Sequence, residues 1–161
     1  MKQQYKYSPM PEMHTLDDDL KYMGMALDEA HQAAREGEIP VGAVIVCRGR
    51  VVASAHNMTE RLGDVTAHAE MIAITQAAST LGGKYLNDCT LYVTVEPCPM
   101  CAGAIGWAQL RRIVIGAPDT KRGYSMMYST SPFHPRAHVI TDCRRDECVA
   151  LMTDFFKSLR K

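Results

Sequence analysis

The sequence predicts an α/β protein, specifically a three-layer α/β/α sandwich with a five-stranded mixed sheet. Short apolar runs that are typical of buried strands alternate along the chain with segments of helical periodicity. Strands and helices in such alternation form one mixed sheet that is covered on both faces. The length of 161 residues and the apolar content of 47% fit a single domain, which we expect at 16–161 after an N-terminal tail at 1–15.

The first helix begins at three acidic residues, 17–19, which the helix macrodipole favours at an N-terminus. Gly37 is expected to end this helix. One apolar face recurs along it at helical spacing, and this face consists of Leu20, Met23, Ala26, Leu27, Ala30 and Ala34.

A hairpin and a second helix follow the first helix. Two apolar runs, at 40–47 and 51–55, are joined by a tight turn at 48–50 and predict the hairpin. A polar loop then leads to the second helix. We expect Thr66 to cap this helix, which continues to about Leu81.

The second half of the chain predicts three further strands, which we place at 90–95, 112–115 and 137–141. The prolines that follow the first of them suit the entry to a helix, which extends to Gln109. Residues 117–136 form a long polar connection, of a length at which loops are often functional. A last helix begins at Asp142 or Asp146.

Charge is distributed unevenly, although the chain is neutral overall. Residues 1–110 carry eight basic and 13 acidic side chains, whereas residues 111–161 carry ten and five. The basic residues of this last third are Arg111, Arg112, Lys121, Arg122, Arg136, Arg144, Arg145, Lys157, Arg160 and Lys161. A basic surface there would attract phosphate groups, but charge alone fits a solvated face better.

The composition also bears on location. No apolar run approaches the roughly 18 residues that a membrane span needs, and the first 20 residues lack the hydrophobic core of a secretion signal. We therefore expect a cytoplasmic protein without membrane contact. Four of the six cysteines lie in or beside apolar runs, where free buried thiols are common in cytoplasmic proteins; they are Cys47, Cys89, Cys143 and Cys148.

The other two cysteines, Cys98 and Cys101, have the spacing of a metal clamp. They lie three residues apart at the start of a predicted helix, so their thiols point the same way and the helix N-terminus favours the thiolate form. His68, on the first turn of another helix, offers a third ligand. Zinc prefers such a set, and three protein ligands leave one position open, as in catalytic zinc sites.

Glu70 lies two residues after His68 and is the candidate acid/base. A carboxylate beside the metal can take a proton from water and pass it to a ring nitrogen and then to a leaving amine. Taken singly, a C-x-x-C pair also fits a redox or structural zinc site, and a glutamate at a helix start is usually a capping charge. The combination of H-A-E, an intervening strand and P-C-x-x-C favours a catalytic zinc. The remaining histidines have no comparable partners in the sequence.

The pattern H-x-E followed by P-C-x-x-C is a known signature of zinc-dependent nucleobase deaminases. From about Asp17 to Lys161 the chain resembles the bacterial tRNA-specific adenosine deaminases of the cytidine/deoxycytidylate deaminase superfamily. The matching segments are EIPVGAVIV (38–46), HN (56–57), DVTAHAEMIAI (64–74), TLYVTVEPCPMCAGAI (90–105), IGAPDTKRG (115–123) and DECVALMTDFF (146–156). The chain departs from the family pattern at Pro118 and at 122–124.

This resemblance implies a homodimer with one zinc ion per subunit. It implies conversion of adenosine to inosine at the wobble position of a tRNA anticodon stem-loop, with an arginine tRNA as the expected substrate. By position, His68, Cys98 and Cys101 would bind zinc and Glu70 would transfer protons. Asn57 would hydrogen-bond the flipped-out base. Asp119 would lie near the nucleotide before the target.

Three alternatives remain open from the sequence. The first is a related deaminase acting on free guanine, cytosine or a nucleoside, which the neutral net charge suits; the basic end of the last helix favours tRNA instead. The second is a non-catalytic RNA-binding subunit, which would be expected to lack Glu70. The third is a structural zinc module, which would need a fourth ligand at suitable spacing.

Overall fold

The computed structural model describes residues 14–161 and contains one five-stranded sheet. The helices are α1 (Leu16–Arg35), α2 (Thr59–Leu62), α3 (Ala69–Leu81), α4 (Pro99–Trp107) and α5 (Arg145–Leu159). The strands are β1 (Gly42–Cys47), β2 (Arg50–His56), β3 (Cys89–Val95), β4 (Arg112–Ala117) and β5 (His138–Ile140). A short 3₁₀ helix, Tyr124–Met126, interrupts the long connection between β4 and β5.

The sheet has the order β2-β1-β3-β4-β5 and is mixed. β1 pairs antiparallel with both β2 and β3, whereas β3, β4 and β5 run parallel. The hairpin, the mixed sheet and all five predicted strands are confirmed, with ends that differ by one or two residues. Because β3 and β4 are parallel, their carboxyl ends meet at one edge of the sheet, with Val95 opposite Ala117.

Helices cover both faces of the sheet and produce the predicted three layers. One hydrophobic core includes side chains from α3, α4 and the inner strands, and the other lies beneath α1 and α5. The approach of α1 to the sheet is close enough to require glycine at position 42, because a Cβ atom there would overlap the carbonyl oxygen of Ala26. The two cores therefore fix the sheet between its helical layers.

The structure shows how α1 begins and ends. Thr15 is its N-cap and forms a capping box with Asp18: the Thr15 hydroxyl accepts the Asp18 N–H, and the Asp18 carboxylate accepts the Thr15 N–H. Thr15 was expected at the end of the N-terminal tail, and residues 1–13 of that tail lie outside the described residues. The helix ends at Arg35, before the left-handed Gly37.

Two local predictions were wrong. The polar loop after β2 contains a single helical turn, α2. Thr66 does not cap α3, because its hydroxyl and N–H both bond to the carboxylate of Asp64. His68 holds the N-cap position instead, and α3 begins at Ala69.

The basic surface expected in the last third of the chain is smaller than the sequence suggests, because Arg111 and Arg112 are buried. Arg112 is 7% exposed and forms a two-pronged ion pair with Asp19 of α1 at 2.6 Å for each bond. The Tyr92 hydroxyl donates to the same carboxylate at 2.8 Å. Among residues 14–161, none of the helices combines the length and the apolar character that crossing a membrane requires.

Candidate active site

The N-termini of α3 and α4, two helices in contact, supply the candidate site. His68 and Cys98 are the N-cap residues of α3 and α4, and both have extended backbone conformations. Pro99 occupies the first turn of α4, where its fixed φ angle favours helix entry and its missing N–H is not needed. Cys101 follows on the same turn and is fully buried.

This arrangement brings His68, Cys98 and Cys101 together. The His68 Nδ1 atom lies 3.6 Å from the Cys98 sulfur and 3.5 Å from the Cys101 sulfur. All three ligand atoms lie within 4.8 Å of one another. A tetrahedral zinc ion, at about 2.0–2.1 Å from nitrogen and about 2.3 Å from sulfur, would separate nitrogen from sulfur by about 3.5 Å. The donor set and its spacing therefore fit one zinc ion.

The electrostatics of the two thiols support the same conclusion. A hydrogen bond from the Cys101 thiol and a further one from His68 outweigh burial and lower the pKa of Cys98 to about 4. The hydrogen bond with Cys98 and burial raise the pKa of Cys101, because a second thiolate beside the first is unfavourable without a cation. The positive ends of two helices add to the stabilisation of negative charge here. The pair is thus suited to receive a divalent metal.

Glu70 lies in the first turn of α3, and only 3% of its surface is exposed. Burial raises the pKa of this carboxyl, although its own backbone N–H donates a hydrogen bond to it and the neighbouring Cys101 and His68 side chains also act to lower it. A buried carboxyl of raised pKa beside a metal site is suited to accept and release a proton. The structure therefore brings the predicted acid/base to the predicted ligands.

The site opens on the side of His68 and Cys98, which are half-buried, whereas Cys101 and Glu70 are buried. Within the stretch 14–161, His68, Cys98 and Cys101 are the one group of three or more His, Cys, Asp or Glu ligands with metal-binding spacing. No fourth protein ligand joins them there. This observation disfavours the structural zinc module and agrees with a site that keeps one position for substrate or water.

Asn57 follows the last residue of β2 and is 5% exposed. Its N–H donates to the Val41 carbonyl at 3.1 Å, and the next residue, Met58, donates to the Ala67 carbonyl at 2.9 Å. Ala67 directly precedes His68. The backbone thus joins the segment containing Asn57 to the segment containing a candidate zinc ligand.

Asp119 lies in the connection after β4, whose carboxyl end is beside that of β3. One of its carboxylate oxygens accepts the N–H groups of Lys121 and Arg122 at 3.0 Å each, so the side chain shapes its own turn. The same connection is attached to the metal-binding turn, because Tyr124 N–H donates to the Pro97 carbonyl at 2.9 Å. Asp119 is therefore on the site's edge of the sheet, in a loop anchored to the site.

His56 lies outside the metal group, in agreement with the sequence, which gave it no metal-binding partners. Its Nδ1 atom lies 2.6 Å from Glu29 and its Nε2 atom lies 2.9 Å from Glu36. Burial alone would lower the pKa of His56, but the hydrogen bonds to these two carboxylates outweigh burial and raise it. The imidazole links α1 to the end of β2, directly before Asn57.

Two glutamates near the site were missed by sequence reasoning. Glu38 is buried and binds the first turn of α2. Glu96 accepts the Ser125 hydroxyl at 2.8 Å and packs against Gly123, whose Cβ atom would overlap the carboxylate. The one available signal was position, because Glu96 directly follows β3 and Glu38 directly precedes the apolar run 39–46, where a charge is unexpected.

Comparison with known proteins gives consistent results. Residues 16–117 match the profile of the cytidine and deoxycytidylate deaminase zinc-binding region. The tRNA-specific adenosine deaminase of Bacillus subtilis (strain 168) is 41% identical over 150 residues, which cover 91% of this chain and 93% of that protein. The tRNA-specific adenosine deaminase of Agrobacterium fabrum is 41% identical over 143 residues, which cover 86% and 94%.

Solved structures agree with these relatives. A structure from studies of A-to-I editing by tRNA:A34 deaminases has a TM-score of 0.76 at 41% identity and covers 81% of this chain and 98% of that one. The guanine deaminase of Bacillus subtilis has a TM-score of 0.61 at 38% identity and covers 67% and 73%. Fold and site define a zinc-dependent nucleobase deaminase. The chain belongs to the tRNA-specific adenosine deaminases within the cytidine and deoxycytidylate deaminase superfamily, which confirms the resemblance seen in the sequence.

Proposed function

We propose that this protein hydrolyses adenosine to inosine and ammonia at the wobble position of a tRNA anticodon, with an arginine tRNA as substrate. The observation that carries the proposal is the buried Glu70 beside a three-ligand zinc group. The chain also matches a tRNA-specific adenosine deaminase over 93% of that protein's length. The presence of Glu70 argues against a non-catalytic RNA-binding subunit.

In this proposal His68, Cys98 and Cys101 hold the zinc ion. When bound, zinc acts as a Lewis acid that lowers the pKa of water to about 7. Glu70 removes a proton from the attacking water and delivers it to ring nitrogen N1, next to the carbon that is attacked. Glu70 then takes the remaining proton of the added hydroxyl group and passes it to the exocyclic amine, which leaves as ammonia as the carbonyl forms. The burial of Glu70 excludes bulk water from both transfers.

Asn57 reads the flipped-out base, and Asp119 contacts the nucleotide that precedes it. An amide has both a donor and an acceptor, so Asn57 can hydrogen-bond a purine edge. Support for Asn57 comes from the residue that follows it, because the Met58 N–H donates to the carbonyl of Ala67, directly before His68. Support for Asp119 comes from its loop, which is anchored beside Pro97.

The outer surface of α5 supports RNA rather than a free base as substrate. Phe156 is 39% exposed near the end of this helix, in edge contact with Phe155. Three exposed cations lie next to these rings in sequence: Lys157, Arg160 and Lys161. Exposed aromatic rings with neighbouring cations suit stacked bases and phosphates of single-stranded RNA. tRNA as the substrate also supports a cytoplasmic location.

A homodimer is the proposed assembly, and one bare face of α4 supports it. Met100 and Trp107 lie two helical turns apart on the same side, and Trp107 is 84% exposed. The space beside Gly103, between them, is open, whereas the opposite side of α4 is buried at Cys101, Ala102 and Ile105. Exposed Met126, Met127 and Tyr128 extend the apolar surface, since the Tyr128 hydroxyl donates to the Pro99 carbonyl at 3.4 Å. Apolar surface of this kind marks an interface.

Inosine formation by the zinc-loaded protein tests the proposed activity. The substrate is an arginine-tRNA anticodon stem-loop with adenosine at the wobble position, and free guanine, cytosine and adenosine are assayed in parallel. We expect inosine in the RNA and no ammonia from the free compounds. Ammonia from free guanine with the RNA unchanged would instead identify a guanine deaminase, the activity named for one structural neighbour.

Replacing Trp107 by glutamate should convert the dimer to a monomer, because a charge at the centre of an apolar interface loses its hydration on association. Light scattering coupled to size-exclusion chromatography measures the mass. Leu16→Glu is the matched control, since Leu16 is 72% exposed on α1, in the opposite layer. A Trp107→Glu protein that retains the wild-type dimer mass would contradict the α4 interface.

A further inference from the structure

Glu38 is a buried glutamate whose carboxylate spans two separate segments of the chain. Only 1% of its surface is exposed. Its N–H donates to the Ala33 carbonyl at 2.9 Å, which ties its backbone to the end of α1. Its side chain reaches α2, which begins 21 residues further along. Glu38 is therefore fixed to the end of α1 through its backbone and bonds to α2 through its carboxylate.

Three donors from α2 converge on this carboxylate. The Arg61 N–H donates to Oε1 at 2.7 Å. The Glu60 N–H and the Thr59 hydroxyl donate to Oε2 at 3.2 and 3.4 Å. Both oxygens act as acceptors, which a carboxylate satisfies and a carboxamide cannot, because one end of a carboxamide is a donor.

Besides these bonds, the described structure gives α2 an ion pair between Arg61 and Glu36 at 3.2 Å, in which the Arg61 side chain is largely exposed. α2 is a single turn, it buries no residue, and its N-cap residue Met58 makes no side-chain capping bond. An isolated turn of this length is unstable in water, because helix nucleation costs more than one turn regains. Exposed ion pairs contribute little, so the buried carboxylate of Glu38 is the main contact that holds this turn in place.

Asn57 lies between the two segments that Glu38 connects. On one side, its N–H is held by Val41, three residues after Glu38. On the other side, Asn57 is followed within two residues by Thr59, the first donor to the Glu38 carboxylate. The backbone on both sides of Asn57 is thus fixed by the segment 38–41. A change at the carboxylate would be transmitted to the direction of the Asn57 amide.

We propose that Glu38 is a positioning residue for substrate binding, which holds the Asn57 amide against the target base by clamping the single helical turn α2. The inference rests on the proposed function of Asn57. Glu38 itself touches neither the base nor the zinc ligands. Misplacement of a reacting or reading group by about 1 Å can cost about 100-fold in rate, so an effect of this size is expected from a residue outside the reaction centre.

A double-mutant cycle on the zinc-loaded protein tests the proposal, with kcat/KM measured on the anticodon stem-loop. Glu38→Gln is expected to lower kcat/KM by about 10- to 100-fold with zinc content unchanged. In an Asn57→Ala background the same substitution should have almost no further effect, because the group that it positions is gone. Glu60→Gln is the matched control: it removes a charge from the same turn but keeps the backbone N–H, and it should remain near wild type.

The outcomes distinguish a failure of the role proposed for Asn57 from a failure of the role proposed for Glu38. If Asn57→Ala has wild-type activity, the proposed role of Asn57 fails. If Asn57→Ala is impaired but Glu38→Gln lowers kcat/KM by the same factor in both backgrounds, Glu38 acts independently and the positioning role is overturned. Thr59→Val provides a second variant should Glu38→Gln not fold. It removes one donor, leaves the carboxylate in place, and should show a smaller loss that likewise disappears without Asn57.

Discussion

Replacing Glu70 by glutamine is expected to lower kcat on the anticodon stem-loop by about 10³- to 10⁴-fold while one zinc ion per chain is retained. General acid–base catalysis typically contributes 10²- to 10⁴-fold. The upper part of this range is expected because Glu70 serves both proton transfers. Glutamine preserves the volume of a side chain that is 3% exposed, so the packing around it should change little.

Zinc content and turnover must be measured on the same samples, by metal analysis and by single-turnover inosine formation. Cys98→Ser is the contrasting variant, because it removes a ligand and should lose both zinc and activity. A Glu70→Gln protein that lacks zinc would mean that Glu70 supports the metal site. One that keeps both zinc and a rate within ten-fold of wild type would contradict the proton-transfer role.

The sequence predicted the sheet well because burial leaves a strong local signal. All seven residues of β3 are buried, and they read as one continuous apolar or β-branched run. β5 has two exposed residues out of three, and its burial signal is correspondingly weaker. The zinc-ligand candidates also leave a local signal. Cys98 and Cys101 are three residues apart, and Glu70 lies two residues after His68.

Features that depend on distant partners could not be read from the sequence. α2 is bonded to a carboxylate 21 residues earlier in the chain, and nothing in its own four residues indicates a stable helix. Thr66 has the chemistry of an N-cap, but Asp64 competes for its hydroxyl and shifts the helix start to His68. The role proposed for Glu38 therefore depends on three donors that lie far from it in the sequence.

Arg112 shows that the sequence does not reveal whether a charged side chain lies on the surface or in the core. It was counted with the basic surface of the last third, yet it lies in β4 against Asp19 and Tyr92. Burial by itself would raise the pKa of Asp19, but the hydrogen bonds from Arg112 and Tyr92 outweigh it and lower the pKa. A lowered folded-state pKa means that the carboxylate form stabilises the fold. This contribution is present above the unfolded pKa of about 3.9 and is lost as the pH falls through the folded value.

Arg112→Ala is expected to destabilise the protein by about 3–5 kcal/mol at pH 7, because it leaves the Asp19 carboxylate buried without its partner. For a chain of this length, that corresponds to a fall in Tm of roughly 6–20 °C. Thermal and urea unfolding of the zinc-loaded protein measure the effect. Lys157→Ala, at an exposed cation near the end of α5, is the control and should change Tm little.

A combined variant distinguishes the net contribution of the ion pair to the free energy of unfolding from the cost of removing one partner. Its substitutions are Asp19→Leu, Arg112→Met and Tyr92→Phe. Buried ion pairs replaced as a unit by apolar side chains of similar volume are often neutral or stabilising. We therefore expect the combined variant to recover most of the stability that Arg112→Ala loses, and to keep zinc and activity, because α1, β3 and β4 meet here away from the ligands. A combined variant as unstable as Arg112→Ala would show that the ion pair itself, and not the avoidance of an unpaired charge, stabilises this contact.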